Sequence, residues 1–389
     1  MMNRKLRMGM IGGGKGAFIG AIHRIAATMD GAIELVCGAL SANPDNARES
    51  GRALFLPQSR TYTSYEEMLE KESTLPPQER MDFVSIVTPN FAHLAPALLA
   101  LEKGFHVVIE KPMTLTLDEA RQLRQKVEET GLLLLLTHTY AGYPMVKQAR
   151  QMVKDGALGN IRKVLVEYTQ GWLSSLSEKE GNAQAAWRTD PQRSGKSGCM
   201  GDIGTHAAHL AEYISGLQIE QVCAQLNTVV EGRALDDDGH VLLRFSQGAS
   251  GMLTASQVMA GEENNLRIRV YGEKGGLEWA QQEPNTLLLK WQDQPAQVLR
   301  TGGAGLSSYA THNTRTPAGH PEGYIEAFAN LYRNFGMALA ARLDGTTPPA
   351  EALDFPSVQD GVRGMAFIET VVASSASAEK WTDFLVNPN

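Results

Sequence analysis

The sequence predicts an α/β protein with two domains. The first is a doubly wound parallel sheet, and the second is an α+β domain with a mostly antiparallel, open sheet. Three observations lead to this prediction. The chain of 389 residues exceeds one ordinary core, its first third alternates apolar strands with helical segments, and its remainder carries strands joined by short turns. We place the boundary after residue 142, so that the domains are 1–142 and 143–389.

The first domain is predicted from five apolar runs, at residues 6–11, 32–40, 83–88, 106–110 and 132–137. Continuous apolar strands that alternate with helices are typical of a parallel sheet covered on both faces. Asn43 before Pro44 fits the start of a helix, and Ser64 with Glu67 fits a capping box. This order of elements indicates a nucleotide-binding architecture.

The second domain is predicted from strand-like segments at residues 161–170, 239–248, 250–258 and 265–279, which short turns link. A helix is expected over 203–215, and further helices after Glu322. Residues 302–320 are rich in turn formers and lack periodicity, so we expect a long loop there. An antiparallel sheet with helices on one face leaves its other face open, which favours a homodimer or homotetramer.

Composition narrows the class of partner. The formal net charge of -7, without a block rich in Lys or Arg, argues against a nucleic-acid or membrane partner. Three scattered cysteines suit reduced thiols in a cytoplasmic protein better than a disulfide framework. The leucine run at 132–136 is far too short to span a bilayer, and the basic N-terminus lacks the apolar core of a signal peptide.

A glycine-rich segment, residues 10–20, follows the first strand and precedes a helix. Gly12-x-Gly14-x-x-Ala17 fits the dinucleotide-binding fingerprint, and an alternative register puts the third small residue at Gly20. Glycines let the backbone approach a pyrophosphate, and the helix N-terminus supplies partial positive charge. Ser41 stands where the second strand ends, without an acidic neighbour to select NAD, so both NAD and NADP remain open.

Other strand ends at the same edge of the sheet should line the cofactor crevice. The segment "TPNFAH", residues 88–93, ends one strand; Asn90 can also cap the next helix, and His93 can equally have a packing role. The residues that we expect to contact the dinucleotide are Gly12, Gly14, Ala17, Phe18, Ile19, Ser41, Thr88, Pro89, Asn90, His93, Glu110, Lys111, Trp187 and Arg188.

The stretch "HVVIEKPMT", residues 106–114, ends a buried strand with a lysine and a proline. Burying an unpaired ammonium costs several kcal/mol. We therefore expect Lys111 at the cofactor crevice, although a solvated charge at the rim is the alternative. Pro112 restricts the preceding residue to extended conformations, and we predict a cis Lys111–Pro112 bond.

A second chemical signal is "GCMGDIGTHAAH", residues 198–209. Asp202, His206 and His209 are spaced i, i+4 and i+7, which predicts one shared helical face. Asp202 can orient an imidazole or pair with an ammonium, and a histidine exchanges protons near neutral pH. The alternatives are a polar stripe against the other domain, or a divalent metal site. We expect no metal, because hydride transfer needs none.

These motifs in this order, together with "WRTDPQRSG" at residues 187–195, resemble the Gfo/Idh/MocA family of oxidoreductases over essentially the whole chain. The resemblance implies a Rossmann domain, an α/β domain with an open sheet, NAD(P), and reversible oxidation of sugar or polyol hydroxyls. It also implies that Lys111 lies beside Asp202 and His206, with the histidine as acid and base. The chain departs from the simplest family pattern in its longer glycine loop, in the missing acidic ribose residue and in His209.

The function that we predict is oxidation of a secondary hydroxyl of a cyclic polyol or sugar, with Lys111, Asp202 and His206 as catalytic residues. The expected substrate-binding residues are Lys111, Tyr140, Trp172, Asp202, His206 and His312, with Trp187, Arg188 and His320 as weaker candidates. The alternatives are a non-catalytic regulator that binds dinucleotide or sugar, and an imine or biliverdin-type reductase. The three catalytic candidates together disfavour a regulator, which needs no proton relay.

Overall fold

The computed structural model describes residues 4–386, and the chain in it divides into two units. The first unit contains residues 4–114, 118–139 and 328–362, and the second contains 115–117, 140–327 and 363–386. The sequence placed a single boundary after residue 142. In the structure the change of unit comes after Thr139, and the segment 328–362 returns to the first unit.

The first unit is built on a parallel sheet of five strands in the order β2-β1-β3-β4-β5. Thr61 forms an isolated parallel bridge with Gly38 of β2, on the side away from β1. The strand order reverses between β1 and β3, which is where such sheets bind dinucleotides. The predicted parallel sheet is confirmed. Its elements are β1 Leu6–Gly12, α1 Phe18–Thr28, β2 Ile33–Ala39, α2 Pro44–Ala53, α3 Tyr65–Thr74, β3 Phe83–Val87, α4 Leu94–Glu102, β4 His106–Ile109, α5 Leu117–Thr130 and β5 Leu134–Leu136.

The helix starts of this unit differ in how their N–H groups are satisfied. The Asn43 side chain accepts from the backbone N–H groups of Asp45 (3.0 Å) and Asn46 (3.1 Å) at the start of α2. Ser64 accepts from the N–H of Glu67 (3.2 Å) at the start of α3. By contrast, α1 follows Ala17 with no side-chain cap and no acidic residue in its first turn. Its first N–H groups are therefore left for another acceptor.

The second unit contains a sheet of nine strands in the order β13-β12-β11-β10-β6-β9-β8-β7-β14. Neighbouring strands are antiparallel except for β6 and β9, which confirms the mostly antiparallel sheet. Helix α9 packs on β6, β9 and β10 and against α6. From residue 144 onward, including the parts of α11 and α12 that belong to the first unit, the elements are α6 Pro144–Lys154, β6 Ile161–Thr169, α7 Ala183–Arg188, α8 Pro191–Ser194, α9 Thr205–Ser215, β7 Ile219–Asn227, β8 Asp238–Phe245, β9 Ser250–Ser256, β10 Asn265–Gly272, β11 Gly275–Ala280, β12 Thr286–Trp291, β13 Gln297–Arg300, α10 Ser308–His312, α11 Tyr324–Leu343, α12 Val358–Ala376 and β14 Thr382–Asp383.

Two predicted features of the second unit had different outcomes. The expected loop at 302–320 contains α10, whose start is capped by Ser307 accepting from the Ala310 N–H (3.3 Å). A helix of five residues is too short to produce a helical period in the sequence. The helix expected over 203–215 is confirmed; its first two residues belong to a π-helical turn, Met200–Gly204, and the rest form α9.

The chain passes from one unit to the other within the helices α11 and α12. The first four residues of α11 belong to the second unit and the rest to the first, and α12 passes from the first unit to the second after Val362. No helix among residues 4–386 is long and apolar enough to cross a membrane.

Candidate active site

The glycine loop after β1 touches the ends of the neighbouring strands. Gly12 has φ +82°, and a Cβ at this position would lie 2.9 Å from the Thr88 side chain at the end of β3. Gly14 donates its N–H to the Leu40 carbonyl (2.9 Å) after β2, and a Cβ there would lie 2.6 Å from the same oxygen. Gly12 and Gly14 therefore lie at the reversal of strand order with no space for a side chain.

The third glycine of the fingerprint is Gly20. A Cβ on Gly20 would lie 2.7 Å from the carbonyl oxygen of Gly13, so this glycine permits close packing of α1 on the loop. Ala17 is the residue that precedes α1. The structure therefore favours the alternative register, in which residues 15–17 are an insertion.

These features fit a bound dinucleotide. The uncapped N-terminus of α1 provides N–H groups for a pyrophosphate, and the glycines at 12–14 permit its close approach. At the end of β2, the Ser41 hydroxyl accepts from the N–H of Asn43 (3.1 Å), and the residues there carry no carboxylate for a ribose. The remaining predicted cofactor residues of this unit lie at strand ends or helix starts on the same edge: Phe18, Ile19, Pro89, Asn90, Glu110 and Lys111.

His93 is an exception among the predicted cofactor residues. Its side chain is completely buried, with Nδ1 2.9 Å from the carbonyl oxygen of Pro112 and Nε2 2.8 Å from that of Thr88. Burial lowers the pKa of His93 despite these carbonyls, so the ring is neutral at neutral pH. With both nitrogens facing backbone carbonyls, this ring has no exposed polar atom for a ligand, and the structure corrects the prediction to a structural role.

Lys111 is separated from the end of β4 by Glu110 alone. Its peptide bond to Pro112 is cis, as predicted. The buried Glu110 carboxylate has Oε1 at 2.8 Å from Nε2 of His23 and accepts a hydrogen bond from the Thr137 hydroxyl (2.6 Å). Its Oε2 accepts from the backbone N–H of Lys111 (3.2 Å). Burial alone raises the pKa of Glu110, but these hydrogen bonds and the charges of His23 and Lys111 outweigh it and lower the pKa. Glu110 is therefore ionised and directed into the protein.

In the second unit, Asp202 lies within the π-helical turn and is hydrogen-bonded to two side chains, of which Arg188 was predicted. It accepts from Nε of Arg188 (3.1 Å) and from the Gln257 amide (2.9 Å). The guanidinium of Arg188 lies over the rings of Trp187 and Trp172, with centroid distances of 4.2 and 5.9 Å. The structure thus brings these three predicted residues together with Asp202.

His206 packs against two buried tyrosines. Its ring meets Tyr140 edge-on at 4.9 Å and lies 6.3 Å from Tyr168. The Tyr140 and Tyr168 hydroxyls are hydrogen-bonded to each other, Tyr168 donates to Oδ1 of Asn264 (2.8 Å), and Nδ2 of Asn264 donates to Tyr140 (3.2 Å). Burial raises the pKa of both tyrosines, so both phenols stay protonated at neutral pH. We call Tyr140, Tyr168 and Asn264 the Tyr–Asn cluster.

Trp172 connects the Asp202–Arg188 pair with the Tyr–Asn cluster. Its indole N–H donates to the Gln170 side chain (2.9 Å), and Gln170 donates to Oδ1 of Asn264 (2.6 Å). Burial is the main cause that raises the pKa of Tyr140, and the negative charge of Asp202 raises it further. Asp202 and His206 therefore belong to one cluster, which the sequence only partly predicted.

Asp202 lies in the π-helical turn, whereas His206 and His209 lie on α9. A π turn has a wider spacing than an α-helix, so positions counted across residues 200–204 do not keep the α-helical rotation. His206 meets Tyr140, whereas His209 stacks on Tyr213 at 5.7 Å. Within residues 4–386, no group of three or more His, Cys, Asp or Glu side chains is arranged to hold a metal ion.

The other two predicted histidines lie in the segment after β13. His312 ends α10, and His320 lies in a turn where its Nδ1 is 3.2 Å from the Pro317 carbonyl oxygen.

Asp236 was missed by the sequence analysis although it supports the segment that carries Asp202. Its carboxylate accepts from the N–H groups of Gly198 (2.9 Å) and Met200 (2.9 Å) and from the Ser197 hydroxyl (3.1 Å). Burial raises the pKa of Asp236, against the opposing effect of these hydrogen bonds. The run of three aspartates at 236–238 was the available signal, but an acidic run in a turn is usually solvated.

Comparisons with known proteins agree with the presence of two units in the chain. A family model described as an oxidoreductase family with an NAD-binding Rossmann fold matches residues 6–138. A second, described as the GFO/IDH/MocA C-terminal domain, matches residues 146–278. The first unit therefore carries the NAD-binding domain of this family.

Relatives match over nearly the whole chain. The chain is 32% identical over 387 residues to the uncharacterised oxidoreductase YfiI of Bacillus subtilis, covering 99% of this chain and 98% of the relative. It is 37% identical, with a TM-score of 0.93, to an inositol dehydrogenase homologue from Azotobacter vinelandii solved with NAD+, covering 98% of each chain. It is 25% identical to levoglucosan dehydrogenase of Pseudarthrobacter phenanthrenivorans, with 98% of each covered. The protein is a member of the Gfo/Idh/MocA family of oxidoreductases.

Proposed function

We propose that the protein is an NAD(P)-dependent dehydrogenase that oxidises a secondary hydroxyl of a cyclic polyol or sugar, with Lys111, Asp202 and His206 as its catalytic residues. The observation that carries the proposal is one cluster of contacts. His206 packs against Tyr140, and hydrogen bonds and ring contacts through Asn264, Gln170, Trp172 and Arg188 connect this tyrosine with Asp202. This cluster occurs in a chain whose other unit is an NAD-binding domain.

In the proposed reaction, His206 takes the proton of the substrate hydroxyl as the carbinol carbon loses a hydride. The bound nicotinamide supplies the acceptor for that hydride. The ammonium group of Lys111 stabilises the negative charge that develops on the oxygen as the C–H bond breaks. Asp202 holds the Arg188 guanidinium and keeps a negative charge near His206, which favours the imidazolium formed by proton transfer.

The substrate class is proposed from the side chains of the cluster and from relatives. Aromatic faces are offered by Trp172, Trp187 and the Tyr–Asn cluster, and this cluster also carries neutral amide and phenol groups. Such a combination suits a polyhydroxylated cyclic substrate. A 36% identical homologue from Azotobacter vinelandii was solved with NADH and myo-inositol, and the 25% identical levoglucosan dehydrogenase was solved with NADH and levoglucosan. We therefore propose inositols, aldoses, glucosides and anhydrosugars as the compounds to test first.

The test is a screen of those compounds with NAD+ and NADP+, following the absorbance of the reduced nicotinamide. With a substrate in hand, Lys111→Ala and His206→Ala should each lower kcat by about 10²–10⁴-fold, with dinucleotide affinity nearly unchanged. The effect of Asp202→Asn should not add fully to that of His206→Ala if the two act as a unit.

Lys103→Ala and His240→Ala serve as matched controls, because Lys103 pairs with Glu70 at the surface of the first unit and His240 is exposed on β8. Both should keep wild-type kcat. Near wild-type turnover of Lys111→Ala or His206→Ala would remove that residue from the mechanism. Binding of NAD+ without turnover of any compound in the screen would favour a regulatory function.

A further inference from the structure

A buried chain of polar side chains lies behind Lys111, and the proposed reaction makes no use of it. Glu110 is paired with His23, a residue of α1 with no exposed surface. On the other side of the imidazole, Nδ1 is 2.7 Å from the Tyr332 hydroxyl and 3.2 Å from that of Ser85, and these two hydroxyls are 2.9 Å apart. The chain thus links α1, β3, β4 and α11 within the first unit.

The His23 ring has its orientation fixed from several sides. Phe328 meets it edge-on at 4.7 Å and Tyr332 at 5.8 Å. Because a hydroxyl can either donate to Nδ1 or accept from it, the ring can keep its Nε2 hydrogen on Glu110 in both protonation states. A buried carboxylate costs several kcal/mol unless it is paired and hydrogen-bonded. His23 therefore supports an ionised Glu110 at this position.

Two buried histidines, His23 and His93, hold the backbone before and after Lys111. Through Oε2, Glu110 accepts the N–H of Lys111, and on the other side His93 faces the carbonyl of Pro112. Lys111 itself is partly exposed. Its side chain therefore starts from a backbone that is held before and after it by buried hydrogen bonds.

We propose that His23 and His93 are positioning residues for Lys111. His23 acts through the Glu110 carboxylate, and His93 acts through the Pro112 carbonyl. The proposal rests on the proposed function, because it matters for turnover only if Lys111 meets the substrate. A displacement of about 1 Å in a catalytic group can cost about 10²-fold in rate, so loss of either anchor should lower kcat by about 10- to 100-fold.

The test uses the two amide side chains that reproduce one imidazole nitrogen each. Glutamine places its amide near the position of Nε2, and asparagine near that of Nδ1. At position 23 the bond to Glu110 comes from Nε2, so His23→Gln should retain most of the turnover and His23→Asn should lose it. At position 93 the atom that faces Pro112 is Nδ1, which donates to this carbonyl in the tautomer that has its hydrogen on Nδ1. The order should therefore be reversed, with His93→Asn active and His93→Gln impaired.

The same four variants keep a polar group in the core, and their thermal unfolding and NAD+ affinity are measured beside kcat. A merely structural role would make kcat follow stability at both positions, whereas positioning predicts opposite rescue patterns. His106→Asn is the matched control, since His106 is a buried histidine at the start of β4 whose Nδ1 accepts from the Leu133 N–H. It should leave kcat unchanged.

A second readout does not depend on a substrate. The rate of reductive methylation of Lys111, measured by mass spectrometry with Lys103 as internal reference, should change several-fold in His23→Asn and His93→Gln and stay at the wild-type rate in His23→Gln and His93→Asn. Wild-type labelling in all four variants would overturn the positioning proposal. If labelling follows the expected pattern while Lys111→Ala retains turnover, the catalytic role of Lys111 fails and the positioning of its side chain stands.

Discussion

Gly20→Ala tests the register of the cofactor loop. The added methyl carbon would lie 2.3 Å from Cα and 2.9 Å from the carbonyl carbon of Gly13, against about 3.5–4.0 Å for a normal contact between carbon atoms. Both atoms belong to the backbone, so no side chain can rotate away. The loop or the start of α1 must move by roughly 1 Å to accept the methyl group.

The magnitude follows from two opposing effects. Overpacking costs about 1–3 kcal/mol, whereas alanine is favoured over glycine within a helix by about 1 kcal/mol. If the free protein relieves the clash by moving the loop, restoring the cofactor-binding geometry costs the overpacking energy. We then expect NAD+ affinity to fall by about 5- to 150-fold, since each 1.4 kcal/mol is tenfold.

Gly364→Ala is the matched control, because it is also a glycine within a helix, α12, and a Cβ there would have no heavy atom within 4 Å. It should gain up to about 1 kcal/mol of stability and leave NAD+ affinity unchanged. Isothermal titration with NAD+ and scanning calorimetry measure both effects. Wild-type NAD+ affinity in Gly20→Ala, with thermal stability at or above wild type, would refute the role of Gly20 as the close-packing glycine.

Three further predictions concern stability and assembly. Burial lowers the pKa of His106 from 6.5 to about 4, so protons favour the unfolded chain, and stability should fall by about 2 kcal/mol from pH 7 to pH 5 through this residue alone. His106→Asn should lose that part of the pH dependence, as measured by urea unfolding at both pH values. On the open sheet face, Leu242 and Met252 are opposite each other and exposed, so we expect a homo-oligomer that Leu242→Asp converts to a smaller species in light scattering; a wild-type monomer at micromolar concentration would contradict this. Asp236→Asn should weaken the turn that carries Asp202, lowering unfolding free energy by about 1–2 kcal/mol and also kcat, whereas NAD+ affinity measured by titration should be unchanged; wild-type kcat in this variant would contradict the supporting role.

The parallel sheet was predictable because buried strands leave a simple signal. Residues 83–87 and 106–109 are buried along their whole length, and their sequences are apolar runs. The register of the glycine loop was not predictable, because an insertion of unknown path separates Gly14 from Gly20. Only the contact between Gly20 and Gly13 distinguishes the two alternatives. Similarly, the π turn before α9 leaves no mark in the apolar pattern.

The candidate site was predictable where a reactive residue type follows an element boundary, as Lys111 follows β4 and Asp202 precedes α9. Its supporting residues were not. Tyr168 occupies a buried position of β6 that any core aromatic could fill, and Asn264 lies 96 positions further along the chain. A partner at that separation is specified by the pairing of β6 with β10, which the local sequence pattern does not contain.

The supports of the proposed catalytic residues have a common physical basis. Lys111 lies just after β4, and Asp202 lies in the π-helical turn that leads into α9, so backbone N–H groups next to each residue have no partner within a helix or sheet. In each case a carboxylate supplies the missing acceptors: the buried Glu110 accepts the N–H of Lys111, and the partly buried Asp236 accepts two N–H groups before Asp202. A carboxylate can accept several hydrogen bonds in directions that a backbone carbonyl cannot, so it suits an irregular turn, but burying it requires full pairing. Each unit meets that requirement with its own residues, and the geometry of each proposed catalytic group is therefore set within one unit before substrate is bound.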